Sequence, residues 1–211
     1  MSGIPSLREA AERLPASTAA KSVDIASIRS IDLPNAASQP LLYGVKSQLG
    51  VVPNLFRVIS NSPAALQGHL NLHGALSKGT LSAATRERIA IAVAELDGCD
   101  YCLSAHSYFG KNLLKLDDAE LAANRSGASN DPKANAAVRF AVTVVRKRGR
   151  VNDDDIRAVK LAGYDDAAVV EIVQNVAFNI WTNYLNEVAQ TDIDFPVVNT
   201  GKADLPLRTR S

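Results

Sequence analysis

The sequence predicts an all-α fold, on three observations. No stretch alternates apolar and polar residues in the way a half-buried strand would. The chain is 46% hydrophobic but only 5% aromatic, with abundant alanine, a composition that suits closely packed helices. Helix start and stop signals bracket most of the apolar segments. At 211 residues there is enough chain for one substantial core with arms.

Residues 1–40 are rich in Ala and Ser and weakly patterned, with Pro5, Pro15, Pro34 and Pro40 as punctuation and a short helix expected over 5–14. They read as an N-terminal arm lying over the body or over a neighbouring subunit, since they cannot build a core of their own. The helical domain is expected over 41–196. A first helix at 41–49 stops at Gly50, and Val51 to Phe56 turns the chain into a short helix at 55–59. Pro63 suits the first position of the next helix, 64–76. That helix carries His69 and His73, four residues apart. Such a pair can bind a metal, but no carboxylate or third ligand stands near it in sequence, so it reads as a packing or interface pair.

Gly79-Thr80 precedes a helix at 83–96 with Ser82 as its N-cap. Asp97-Gly98 breaks it, and residues 99–109 fit about three further turns, with Gly110 as the next stop. Asp117 opens a helix at 117–123, and 125–132 is a loop. The helix at 132–148 has an apolar stripe of Ala137, Phe140, Ala141, Val144 and Val145, and ends in a basic run, 146–150. Cations are favoured at a helix C-terminus, and no second basic patch or aromatic platform accompanies them, so no nucleic-acid partner is expected. Asn152 caps 153–161, and Asp165 caps the longest helix, 166–190. In that helix Asn175, Asn179 and Asn183 recur at every fourth residue, with Asn186 beyond. The seam reads as a hydrogen-bonded interhelical or subunit contact; the alternative is that it lines a pocket beside Cys102. Residues 197–211 read as an extended tail.

A net charge of +1 offers nothing to a polyanion. No apolar run approaches the roughly 20 residues that span a bilayer, and Arg8, Glu9, Glu12 and Arg13 stand where a secretory core would be. The expectation is a cytoplasmic protein without membrane partners. Two cysteines three residues apart make a poor disulfide framework in a reducing compartment and read as redox-active or metal-binding.

The chemistry is concentrated in ERIAIAVAELDGCDYCLSAH, Glu87 to His106. On one helix Cys99, Cys102 and His106 share a stripe, and Cys102 and His106 are one turn apart, near enough for an imidazole to polarise a thiol. The helix N-terminus favours a thiolate at Cys99, while the histidine favours one at Cys102. We weight the histidine more heavily, because a specific neighbour outweighs a partial charge of about half a unit. Glu87 lies among Ala90, Ile91 and Ala94 on its helix wheel, an expensive place for a carboxylate unless something uses it.

The pattern E-x(11)-C-x-x-C-x-x-x-H resembles the AhpD-like alkylhydroperoxidase and carboxymuconolactone decarboxylase superfamily, most closely its peroxidase-related branch. Gly50 to Phe56, Asn61-Ser-Pro63 and Asp192 to Phe195 resemble that branch too, so the likeness covers roughly 40–196. The resemblance implies a helical bundle, assembled as a trimer or hexamer, and a thiol-dependent hydroperoxidase or disulfide oxidoreductase without a bound cofactor. By position, Cys102 attacks, Cys99 resolves it into a disulfide, and His106 and Glu87 relay the proton. The substrate would be a hydroperoxide and the reductant a dithiol or a lipoylated protein. One departure shortens the relay: Tyr101 stands where the best-known alkylhydroperoxidases carry a second histidine between the cysteines. Three other readings compete. A decarboxylase of the same superfamily would not rely on the cysteine pair. A metal site would need a further ligand beside Cys99, Cys102 and His106, and a redox-sensing module would show a reversible disulfide without turnover.

Overall fold

The computed structural model describes residues 35–201. The expected helix at 5–14, most of the N-terminal arm and the last ten residues of the tail lie outside the described residues. Among the described residues a 3-10 turn, Ala36–Ser38, is followed by nine helices: α1 Gln39–Leu49, α2 Asn54–Ile59, α3 Pro63–Leu76, α4 Ala83–Asp97, α5 Asp100–Asn112, α6 Asp118–Arg125, α7 Pro132–Lys147, α8 Asp153–Leu161 and α9 Asp166–Ala189. These residues contain no strand, as the sequence predicts, and no helix long and apolar enough to cross a membrane.

The starts are set by side chains. Ser62, Ser82, Asp117, Asp131, Asn152 and Asp165 each accept a backbone N–H from the first turn of the helix they open, relieving donors that have no intrahelical partner. Two expected boundaries move. Residues 36–40, which the sequence pattern places in the arm, belong to the body: Ser38 is fully buried and its hydroxyl donates to the Ser60 carbonyl at 2.8 Å. Gly110 does not end α5, which runs on to Asn112. A Cβ there would lie 3.2 Å from Leu121 and 3.3 Å from Leu116, so this glycine serves close packing between helices.

The core is arranged around α4. Every residue from Ile89 to Ala94 is buried, so this helix is enclosed on all sides. α7 and α9 pack on it through Val138, Ala141, Ile172 and Val176, and α8 adds Val159 to the same core from against α7 and α9. On its other flank Ile91 and Ala94 meet Leu103, Leu116, Leu121 and both cysteines. Arg88 and Glu95, polar residues of α4, are taken up by α6: Arg88 Nε pairs with Glu120 Oε1 at 2.6 Å, and Arg125 Nε with Glu95 Oε2 at 2.8 Å. Glu171 of α9 accepts the Thr80 and Leu81 backbone N–H groups and so holds the α3–α4 turn.

Glu120 is the most heavily satisfied of these carboxylates. Burial would raise its pKa, but hydrogen bonds from Ser129, Asn124, Asn130 and Arg88 outweigh burial and hold it down to about 2, from an ordinary 4.5. A group depressed in the folded state contributes stability that is complete above 4.5 and is lost as the pH falls through 2. Glu120→Gln should therefore lower stability at neutral pH by about 1–3 kcal/mol and flatten the acid limb of a denaturation series. Parallel acid limbs for the two proteins would remove Glu120 as the cause.

Candidate active site

The two cysteines do not occupy equivalent places. Gly98 takes a left-handed conformation, φ 73°, which lets the chain reverse from α4 into α5. Cys99 is then the extended N-cap of α5 and not part of its first turn; its Sγ accepts the Cys102 backbone N–H at 3.2 Å. Both thiols are free. Cys99 is wholly sealed, whereas Cys102, 3% exposed, borders a cavity of about 380 Å3.

That cavity brings the sequence candidates together. Glu87 enters from α4, and Cys102 and His106 from α5. His106 Nδ1 lies 2.9 Å from Glu87 Oε1, with both side chains partly buried. An ionised Glu87 accepts from Nδ1–H, which leaves Nε2 as the basic atom of the imidazole. The i,i+4 spacing does not produce a hydrogen bond between His106 and Cys102. Instead Cys102 Sγ is met by Asn186 Nδ2 of α9 at 3.2 Å. Burial pushes the Cys102 thiol well above its usual pKa; the adjacent Cys99 thiol and the charge of Glu187 act in the same direction, and the Asn186 hydrogen bond acts against them.

The asparagine seam divides between its two readings. Asn183 Nδ2 donates to Asp97 Oδ2 at 2.7 Å and joins α9 to α4. Asn175 and Asn179 turn back onto carbonyls of their own helix at 2.8 Å and border the cavity. His69 and His73, which the sequence presents as packing residues, also line it. His69 does pack, edge-on to Phe56 and tilted against Phe178 and Trp181. Burial, with the neighbouring His73, lowers its pKa to about 4, so it is neutral at physiological pH. The place of this pair in the wall of the Cys102 cavity is not legible from a local pattern, because α3 is remote from α5 in sequence. Among the described residues no three His, Cys, Asp or Glu side chains converge as a metal-ligand set.

Tyr101 faces inward as well. Its hydroxyl accepts the Leu55 backbone N–H at 3.0 Å, tying the start of α2 to α5, and burial pushes its phenol pKa far up. The phenol is thus a neutral structural tie, which an imidazole of different reach would not reproduce. The segment after α9 closes this end. Asp194 accepts the Asn54 N–H at 2.9 Å, Phe195 packs edge-on to Tyr101, Val198 N–H donates to Ser104 Oγ at 2.9 Å, and Thr200 N–H donates to Asp100 Oδ1 at 2.8 Å. Residues 197–201, expected as part of an extended C-terminal tail, form an extended strap docked on α5.

The helical arrangement around the buried cysteine pair is similar to that of AhpD-like proteins. Residues 63–143 match the family model of the carboxymuconolactone decarboxylase family, a span that contains Glu87, both cysteines and His106. Among solved structures, the chain is similar to an uncharacterized peroxidase-related protein with an alkylhydroperoxidase AhpD core from Ralstonia eutropha JMP134, at 24% identity over 78% of this chain and 87% of that one, with a TM-score of 0.67. It is similar to an uncharacterized peroxidase-related protein from Silicibacter sp. TM1040 at 22% identity over 76% and 86%, TM-score 0.68. It also resembles the debrominase Bmp8, solved as a variant in complex with 2,3,4-tribromopyrrole, at 17% identity over 75% and 86%, TM-score 0.62. At these identities the likeness shows the fold. No curated protein matches the chain.

If Asp100 anchors the strap, Asp100→Ala should release it. Amide hydrogen exchange at Thr200 and Val198 should then accelerate by at least about tenfold, as expected when a hydrogen bond of about 1.4 kcal/mol is lost. Unchanged exchange at both amides would mean that the strap is held without Asp100, by its packing and its hydrogen bonds to Ser104, Arg125 and Glu95.

Proposed function

We propose that this protein is a thiol-dependent hydroperoxidase, or disulfide oxidoreductase, in which Cys102 attacks, Cys99 resolves, and His106 and Glu87 manage the proton. The observation that carries the reading is the meeting, at one cavity, of a thiol and a carboxylate-bound imidazole, with a second thiol sealed directly behind the first. The AhpD-like fold and the family match support a peroxidase-related role. The difference in burial favours Cys102 as the attacking sulfur, since it borders the cavity and Cys99 does not.

The steps balance without a cofactor. The Cys102 thiol gives up its proton towards His106 Nε2 across the cavity they share. The thiolate attacks the terminal oxygen of the hydroperoxide; an S–O bond forms, the O–O bond breaks, and the departing alkoxide takes a proton to leave as alcohol. Cys99 then attacks the sulfenic sulfur, a disulfide forms, and water leaves. An external dithiol, or a lipoylated protein, restores both thiols by exchange. The apolar face of α9 bearing Val170, Val173, Tyr184 and Val188 is exposed and suits the self-association, as trimer or hexamer, that the resemblance implies.

A second reading draws on the aromatic lining of the cavity, Phe56, Phe109, Phe178 and Phe195. A bromoaryl substrate could be reduced there, with two thiols becoming a disulfide as carbon–bromine becomes carbon–hydrogen and bromide and a proton leave.

Two protein thiols should titrate before, and none after, one equivalent of cumene hydroperoxide. Dithiol-dependent peroxide consumption should vanish in Cys102→Ser and fall about 100-fold or more in Glu87→Gln. Full activity in Cys102→Ser would end the thiol mechanism. Release of bromide from tribromopyrrole without peroxide turnover would favour the second reading.

A further inference from the structure

The Cys102 sulfur has an unfavourable setting for ionisation. It is buried, its own backbone N–H is directed to Cys99, and Glu187 adds negative charge from α9. The other charged and titratable groups around the cavity are His106 on its own helix, Arg86 and Glu87 on α4, and His69 and His73 on α3. Tyr101 adjoins it on α5, with its hydroxyl occupied by Leu55. The Cys99 thiol lies directly beside the sulfur and opposes its ionisation, and none of the other groups hydrogen-bonds to it. Asn186 does, through Nδ2 at 3.2 Å, and its other end, Oδ1, is enclosed without a hydrogen-bond partner.

That unpaired acceptor bears on the role of the residue. The Asn186 backbone carbonyl already serves the C-terminus of α9 by accepting the Thr191 N–H at 3.1 Å, and the side chain takes no part in this. A buried amide with one end unsatisfied is costly, so packing alone would favour an apolar side chain of similar size. The two ends of a carboxamide have nearly the same shape and exchange places by a half-turn of the side-chain amide. One orientation offers a donor to a thiolate, the other an acceptor to a thiol.

We infer that Asn186 is a catalytic residue that hydrogen-bonds the Cys102 sulfur in both protonation states, donating through Nδ2 to the thiolate and accepting through Oδ1 from the thiol. This rests on Cys102 being the reacting sulfur. It adds a participant from α9, beyond the segment that matches the family model. The amide makes the charged form accessible in an apolar enclosure, while the His106–Glu87 pair receives the proton. The hydrogen bond from a neutral amide to an anion is of the stronger, charge-assisted kind.

The test is the pH profile of Cys102 alkylation by iodoacetamide in the full chain, resolved from Cys99 by peptide mass spectrometry. Asn186→Leu should move the midpoint upward and slow alkylation at pH 8 about tenfold, the effect of losing one charge-assisted hydrogen bond. Asn186→Asp, which keeps the size and places a carboxylate beside the sulfur, should move it upward at least as far. It carries the test if the leucine variant does not fold. A folded variant of either kind that keeps the wild-type midpoint overturns the assignment, even if its unfolding temperature falls, because a merely structural role lowers stability without shifting the profile. The assay contains no peroxide. A wild-type protein that turns over no hydroperoxide but shows these shifts would refute the peroxidase reading and support the role of Asn186.

Discussion

Enclosure of α4 is the constraint on which the rest of the structure depends. A helix with no solvent-facing side between Ile89 and Ala94 leaves its polar residues little water to retreat to. Apart from Arg86, which donates to the Leu81 carbonyl in the preceding turn, its charged residues find partners on neighbouring helices. Arg88 finds Glu120, Glu95 finds Arg125, Asp97 finds Asn183, and Glu87 finds His106. These four pairings set the register of α4 against α6, α9 and α5. The carboxylate–imidazole pair of the site is thus one member of a set that the packing of the whole domain requires. Its geometry is held by the core and not by the loop between the two site helices.

The thiol pair gains its asymmetry from the same enclosure. Cys99 and Cys102 are chemically identical and three residues apart, yet one caps a helix behind a sealed wall and the other faces a cavity. Burial suppresses ionisation of Cys102, and only directed donors can offset it. A buried thiol in this setting ionises little unless a specific neighbour stabilises its charge.

Two elements distant in sequence complete the enclosure. Tyr101 fixes the start of α2 through a backbone hydrogen bond. The strap after α9 then lays Phe195 against the tyrosine ring and anchors itself on Ser104 and Asp100 of α5. The residue that departs from the alkylhydroperoxidase pattern is therefore the one that joins α5 to both closing segments. At this position the neutral phenol is a structural tie.

By itself the sequence determined the features that short-range rules govern. Capping residues such as Ser82, Asn152 and Asp165 place helix starts to within a residue, because a cap acts on backbone groups only two or three positions away. The cysteine and histidine spacing picks out reactive groups for the same reason, since single helical turns relate them. The misreadings have the opposite origin. Gly110 has the local signature of a stop but permits a close helix crossing, and nothing in the local pattern of residues 197–201 foretells that Asp100 and Ser104 hold them. The places of His69 and His73 and the divided roles of the asparagine seam were decided by which helices pack face to face. The same holds for the contact between Asn186 and Cys102, which joins positions 84 residues apart. Such partners are selected by the free energy of burying whole helix faces, a quantity that no local pattern encodes.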